Sequence, residues 1–322
     1  MDHQGTPDRK VRIPDVSGHT PLERAPAALA RLGRRDDLWL KREDVHELGV
    51  FKWRGTLPVV GRYAEAGARA VVTCSTGNHG AAVAWACRRS GVAAIVFVPP
   101  AAVQRKLARL DELGADVRVA GSDLDSAKDV AAAFARSEGL PFFEDGAEPL
   151  QYEAYAAIGH EILEQAPGVS LVVIPVGNGA LAGGTGAAIG ERAPAVMRVG
   201  VVARAMPVMA DSYEAGRPVT APPGQTIADG LAVRVAIPLA VERLRTAVDV
   251  MLRVSEREIA EALVACHDAG VQVEPSAAAT LAALRQGGER LDEGTAVLVI
   301  SGRNLDPALL ERARARPWSF PD

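Results

Sequence analysis

The segment ARAVVTCSTGNHGAAVAWACRRSGVAAIVFVPP (residues 68–100) decides the predicted fold of this chain. Its apolar, β-branched runs at 68–75 and 92–100 predict two short buried strands, and the alanine-rich run at 80–91 predicts a helix between them. Continuous apolar strands separated by helices are typical of a parallel sheet that is covered on both faces. The segment therefore predicts an α/β protein with parallel-rich sheets flanked by helices.

The same alternation continues on the C-terminal side of this segment. Further elements are predicted as helices at 102–114 and 123–139 and as strands at 115–121, 169–177, 197–204 and 295–302. We expect 45–145 to form a small domain, because its strands and helices make one compact set. Residues 1–44 and 146–322 are expected to form a second, larger domain.

The composition excludes several classes of protein. The chain has 322 residues and a formal net charge of -4, which argues against an electrostatic nucleic-acid binder. Cys74, Cys87 and Cys266 stand far apart, so neither a disulfide framework nor a zinc site is expected, and a reducing compartment is favoured. The polar start MDHQGTPDRK resembles no secretory signal, and no uncharged apolar run reaches membrane-spanning length. We expect a cytoplasmic protein without a membrane partner.

Three polar or glycine-rich turns follow predicted strands, at 75–80 (STGNHG), 177–180 (GNGA) and 301–304 (SGRN). Ligands of open α/β sheets bind outside the carboxyl ends of the strands. These turns are therefore expected to line one crevice.

Lys52 is the first candidate for chemistry, because Phe51 and Trp53 flank it. Apolar surroundings favour the neutral amine, the form that an imine-forming lysine needs. The alternative is a lysine whose stem packs on the aromatic rings while its amine reaches water. Lys52 alone does not decide between these interpretations.

The three turns carry similar alternatives. Backbone N–H groups after Gly177 would suit a phosphate, and those around Gly77 would suit a carboxylate. Each turn would equally serve tight packing or helix capping. Ser301 could offer its hydroxyl to a ring nitrogen or simply end a strand, and His79 could carry protons or be structural.

Taken together and in order, these segments resemble the fold type II pyridoxal phosphate (PLP) enzymes, the tryptophan synthase β-like superfamily. The likeness is greatest to the serine/threonine dehydratases and serine racemase. It rests on six strings: HTPLERAP (19–26), LKREDVHELGVFKWRG (40–55), STGNHG (75–80), PVGNGALAGG (175–184), TIADGLAV (226–233) and SGRN (301–304). The resemblance implies a two-domain α/β fold, with PLP held mainly by the larger domain, and a homodimer.

The resemblance also implies roles for individual residues. Lys52 would carry PLP as a Schiff base and act as the base at Cα, with Phe51 against the ring. Asn78 would bind the ring oxygen and Ser301 the ring nitrogen. The implied phosphate ligands are the backbone N–H groups of Gly177, Asn178, Gly179, Ala180 and Leu181. The implied substrate-carboxylate ligands are Ser75, Thr76, Gly77, Asn78 and His79.

The implied reaction is α,β-elimination from a β-hydroxy amino acid such as threonine or serine, giving a keto acid and ammonia. A neutral hydroxyl at Ser301 favours prompt elimination, because it stabilises a protonated ring less than a carboxylate would. Two alternatives stay open. Tyr152 and Glu153 resemble threonine synthases, which suggests a β-replacement reaction. Thr76 stands where serine racemase has the serine that is its second base; the threonine hydroxyl could take that role in a racemase, but its methyl group adds bulk.

Two further positions depart from the dehydratase pattern. Val202 takes the place of an acidic metal ligand, so no metal is expected there. Arg303 replaces a small residue, and would bind a second substrate anion or stay solvated.

Overall fold

The structure is a computed structural model that describes residues 18–222, 224–287, 291 and 294–322. Its strands form two separate sheets. The strands are β1 (Leu22–Arg24), β2 (Leu38–Arg42), β3 (Ala70–Cys74), β4 (Ala93–Val98), β5 (Asp116–Val119), β6 (Val169–Pro175), β7 (Met197–Ala203), β8 (Val250–Val254) and β9 (Thr295–Ile300).

The larger sheet has the strand order β1-β2-β9-β6-β7-β8. Every neighbouring pair in it is parallel except β1 and β2. Strand β9 lies between β2 and β6, where Val297 is in register with both Trp39 and Val172. Almost every residue of β6 and β9 is buried, as continuous apolar runs predict for strands covered on both faces.

The smaller sheet contains β3, β4 and β5, all parallel, and its strands are consecutive in the chain. Helices cover both sheets. They are α1 (Ala27–Leu32), α2 (Trp53–Glu65), α3 (Asn78–Ser90), α4 (Gln104–Glu112), α5 (Leu124–Ser137), α6 (Pro149–Gln165), α7 (Ala180–Arg192), α8 (Val208–Ala215), α9 (Pro238–Ala247), α10 (Glu256–Asp268), α11 (Pro275–Gly287) and α12 (Pro307–Ala315). Among the described residues, none of these helices has the length and apolarity to cross a bilayer.

The predicted α/β class is confirmed, and every strand and helix predicted above is present to within a few residues. Strands β1, β2 and β8 were not predicted. Strand β2 was missed because LWLKR ends in two charged residues and does not look like a buried strand. Lys41 in this strand is nevertheless fully buried. Its ammonium group donates to Glu161 Oε2 at 2.5 Å and to the carbonyl oxygen of Thr20 at 2.8 Å.

Arg54 is the centre of a buried ionic network behind the first turn of α2. Its guanidinium donates to both oxygens of Glu43 at 2.8 and 3.0 Å, and to both oxygens of Glu161 at 2.7 and 2.9 Å. Glu43 follows β2, and Glu161 lies on α6. The planar guanidinium of Arg54 therefore links the larger sheet, α2 and α6 at one point.

Replacing Arg54 by Met should lower the free energy of unfolding by about 3–5 kcal/mol, since two carboxylates would stay buried without their main partner. The matched control is Arg62→Met on the same helix, where a half-exposed guanidinium pairs with Glu148 and the expected loss is about 0–1 kcal/mol. Urea unfolding of the two variants measures both values. Equal losses would contradict the assignment of the network as a structural anchor.

Candidate active site

A cleft of about 1140 Å³ lies where the carboxyl ends of strands from both sheets meet. Strands β3, β6 and β9 each end at its wall, so the three predicted turns come together there. The cleft is lined by Phe51, Lys52, Ser75, Thr76, Gly77, Asn78, His79, Gly177, Asn178, Gly179, Leu181 and Ser301. Of the predicted site residues, only Ala180 lies behind the wall, buried at the start of α7.

Lys52 immediately precedes α2, and its amine lies inside the cleft. Only 13% of the side chain is exposed, and Nζ is 4.9 Å from the centre of the Phe51 ring. The Phe51 N–H donates to the Ser301 carbonyl oxygen at 3.0 Å, which fixes the lysine segment to the end of β9. The sequence predicts purely apolar surroundings for Lys52, and this prediction is wrong in one respect. Nζ donates to Asp145 Oδ2 at 2.6 Å.

Asp145 is a cleft residue that the sequence analysis missed. Gln151, in the first turn of α6, donates to Asp145 Oδ1 at 3.0 Å and accepts the Gly146 N–H at 2.8 Å, so the carboxylate is held in place. Burial acts to raise the pKa of Asp145. The Lys52 ammonium and the hydrogen bonds from Lys52 and Gln151 outweigh burial and hold that pKa well below its usual range.

His79 is buried on the first turn of α3. Its Nε2 is 3.3 Å from the carbonyl oxygen of Phe143, and its Nδ1 is 3.5 Å from Asp145 Oδ1. Burial lowers the pKa of His79, so the neutral ring is favoured. His79 therefore belongs to the same polar group as Lys52 and Asp145.

The turn from Gly177 to Leu181 has the form of an anion cradle. Gly179 precedes α7 with φ of 101°, a left-handed value that favours glycine. A Cβ at Gly177 would lie 2.2 Å from the Gly230 carbonyl oxygen, so only glycine fits there. The first N–H groups of α7 lack partners within the helix, and that of Ala180 donates to Asn178 Oδ1 at 3.1 Å. This turn fits the phosphate of the expected PLP, and the Lys52 amine fits its aldehyde.

The cleft holds a second carboxylate that was missed. Glu274, just before α11, accepts a hydrogen bond from Asn78 Nδ2 at 3.0 Å. Asn304 Nδ2 donates to Asn78 Oδ1 at 2.8 Å, so the Asn78 amide is held from both sides. Within the described residues Ser301 Oγ makes no hydrogen bond and lines the cleft beside them, which leaves it able to bind a ring nitrogen.

Burial raises the pKa of Glu274 to about 7. The unfolded chain would ionise this group from about pH 4.5, whereas the folded protein keeps it protonated until about pH 7. The folded state therefore binds the extra proton in this window, and stability falls as the pH rises through it.

We expect wild type to lose about 3 kcal/mol relative to Glu274→Gln between pH 4.5 and pH 7.5, since glutamine keeps an acceptor for Asn78 and does not ionise. The difference in urea unfolding free energy between the two proteins, followed across this range, measures the effect. A difference that stays constant with pH would show that Glu274 titrates normally.

Comparisons with known proteins agree with this geometry. A family model described as pyridoxal-phosphate dependent enzyme matches residues 13–302. The chain is 34% identical over 280 residues to an L-threonine ammonia-lyase of Thermotoga maritima, an alignment that covers 86% of this chain and 69% of that protein. It is 30% identical over 276 residues to a catabolic L-threonine dehydratase of Escherichia coli K12, which covers 84% of each chain.

A solved structure is also similar. Threonine deaminase isoform 2 of Solanum lycopersicum superposes with a TM-score of 0.87 at 28% identity, covering 94% of this chain and 89% of that one. The family model matches most of the chain, and the fold is shared with a solved structure. We therefore conclude that this chain belongs to the family of pyridoxal-phosphate dependent enzymes.

Proposed function

We propose that this chain is a PLP-dependent ammonia-lyase that performs α,β-elimination on a β-hydroxy amino acid such as threonine or serine. The products would be a keto acid and ammonia. The observation that carries the proposal is the Lys52 amine inside the cleft that the Gly177 turn also lines. The names of the relatives, threonine ammonia-lyase and threonine dehydratase, support the reaction and the substrate class.

In this proposal Lys52 would hold the cofactor covalently through Nζ, with Phe51 against the ring. Asn78 would bind the ring oxygen, and Ser301 the ring nitrogen. The phosphate would be held by the backbone of Gly177, Asn178, Gly179, Ala180 and Leu181. PLP supplies an electron sink for the pair that is left at Cα.

The remaining residues would bind the substrate and move its proton. Ser75, Thr76, Gly77, Asn78 and His79 lie at the start of α3, where the helix dipole attracts a carboxylate. Lys52 Nζ would take the Cα proton, as general acid–base catalysis requires a group within hydrogen-bond reach. The neutral Ser301 hydroxyl would favour elimination over transamination.

The threonine synthase-like alternative receives no support from the cleft. Glu153 is exposed on α6, and the Tyr152 hydroxyl donates to the Gly146 carbonyl oxygen at 2.7 Å. The exposure of Glu153 and the hydrogen bond of Tyr152 therefore explain both residues without a contact to the cofactor. For racemisation, Thr76 remains the candidate for the second base, because it lines the cleft.

We further propose the division into a small domain at 45–145 and a larger domain from 1–44 and 146–322. The smaller sheet falls inside the first range, and residues 1–17 lie outside the described part of the chain. We also propose a cytoplasmic homodimer. The free thiols of Cys74, Cys87 and Cys266 support a reducing compartment, and sedimentation of the purified protein tests the dimer.

Replacing Lys52 by Ala should abolish covalent cofactor attachment and lower keto acid formation from L-threonine by about a thousandfold or more, because the proton acceptor is lost. Borohydride reduction of wild type, followed by peptide mass spectrometry, should place the cofactor on Lys52. The matched control is Lys41→Met, a buried lysine outside the cleft, which should keep the cofactor on Lys52. Attachment at another lysine would overturn the proposal.

Replacing Thr76 by Ala should abolish any interconversion of L- and D-serine while it lowers keto acid formation less than about tenfold, if its hydroxyl is the second base. Chiral chromatography of residual serine measures the first effect. Racemisation that persists in the variant, or that is missing in wild type, would show that Thr76 is not a second base.

A further inference from the structure

Two hydrogen-bond acceptors converge beside Lys52. The carbonyl of Phe143 can only accept, so His79 Nε2 carries the proton and Nδ1 presents a lone pair in the neutral ring. Nδ1 is buried and has no hydrogen-bond partner among the described residues. It lies 3.5 Å from Asp145 Oδ1, which is also an acceptor. A site where two acceptors face each other requires a donor.

Lys52 supplies one donor to this site in the structure, through the contact of Nζ with Asp145 Oδ2. Under the proposed function the same amine is bonded to the cofactor until the α-amine of the substrate takes its place, so an arriving substrate meets Asp145 without an ammonium partner. Gln151 would remain as a neutral donor to Asp145. A largely buried carboxylate that loses its cation is costly, so a cation brought by the substrate would be strongly favoured.

We propose that the cleft accepts 2,3-diamino acids, such as 2,3-diaminopropionate, and that Asp145 and His79 receive the β-ammonium group of the substrate. This inference rests on the proposed function and deepens it by naming a further substrate class. An ammonium group has three donors and a charge, and can serve both acceptors at once. A β-hydroxyl has a single donor and no charge.

The chemistry balances without another reactant. The Cα–H bond breaks and its proton passes to Lys52 Nζ, while a double bond forms between Cα and Cβ. The Cβ–N bond breaks, and the nitrogen leaves as neutral ammonia with the bonding pair. After hydrolysis, one 2,3-diaminopropionate and one water give one pyruvate and two ammonia.

The leaving group also favours this substrate class. A hydroxyl must gain a proton to leave as water, and the carboxylate form of Asp145 that binds a cation has no proton to supply. A β-ammonium already carries the proton that it needs. Asp145 would keep the β-nitrogen protonated until the Cβ–N bond breaks.

A substrate with a second carboxylate is less well served by the cleft. Of the basic residues that line it besides Lys52, four contact carboxylates, namely Arg105, Lys106, Lys128 and Arg234, whereas Arg109 donates to the carbonyl oxygen of Leu48 at 2.5 Å. Arg303, a candidate for a second substrate anion, is exposed at the protein surface. The charge that the site presents next to Lys52 is therefore negative.

The test uses the PLP-loaded enzyme and two analogues without a Cα proton, α-methyl-2,3-diaminopropionate and α-methylserine, which bind without reacting. Changes in cofactor absorbance give their Kd values. For wild type we expect the diamino analogue to bind about 30-fold more tightly or better, and Asp145→Asn should remove this preference. The matched control is Glu144→Gln, which removes the adjacent carboxylate and should keep the preference. Pyruvate formation from 2,3-diaminopropionate, L-serine and 3-hydroxyaspartate completes the experiment.

The outcomes separate the two proposals. Keto acid from serine or threonine, with no preference for the diamino analogue and no pyruvate from 2,3-diaminopropionate, overturns this inference alone. Faster turnover of 3-hydroxyaspartate than of 2,3-diaminopropionate overturns it as well. If no amino acid yields keto acid and no analogue alters the absorbance, the proposed function itself fails. Should Asp145→Asn not retain the cofactor, the wild-type Kd ratio decides.

Discussion

The guanidinium of Arg54 between two buried carboxylates is the contact on which the geometry of the cleft depends. It lies two residues after Lys52, and Glu161 belongs to the helix whose first turn holds Asp145 through Gln151. Both partners of the Lys52 and Asp145 contact are therefore attached to the same anchor. Five rigid donors on Arg54 satisfy four carboxylate oxygens, which a lysine at this position would not do. The positions of Lys52 and Asp145 in the cleft therefore depend on an ionic network that lies outside the cleft.

The cleft contains two carboxylates in opposite environments. Asp145 lies against an ammonium group, which keeps it ionised, whereas Glu274 meets the neutral amide of Asn78 and keeps its proton to about pH 7. When their surroundings give two similar groups different pKa values, the groups can take different roles. Asp145 is suited to hold a cation, and Glu274 is suited to orient an amide. The neutral His79 adds a lone pair to the first of these groups.

Much of the fold was predictable, because it follows local patterns. The apolar runs that became β3, β4, β6 and β9 and the turns that follow three of them are continuous in sequence. The functional contacts that were missed join distant residues. Asp145 is separated from Lys52 by 93 positions, and Glu274 from Asn78 by 196. In the sequence FEDGAEP, Asp145 looks like any acidic residue of a surface turn, and the burial that changes its chemistry exists only after folding.

The place of β9 in the larger sheet has a consequence for synthesis on the ribosome. This strand comes from residues 295–300, yet it lies between β2 and β6 and pairs with both. Until it emerges, β2 has only the short β1 beside it, and the edge of β6 is open. The smaller sheet is consecutive in the chain and is complete when about 120 residues have been made. The nascent chain would therefore expose an unfinished hydrophobic edge for most of translation, a period in which chaperones could bind it.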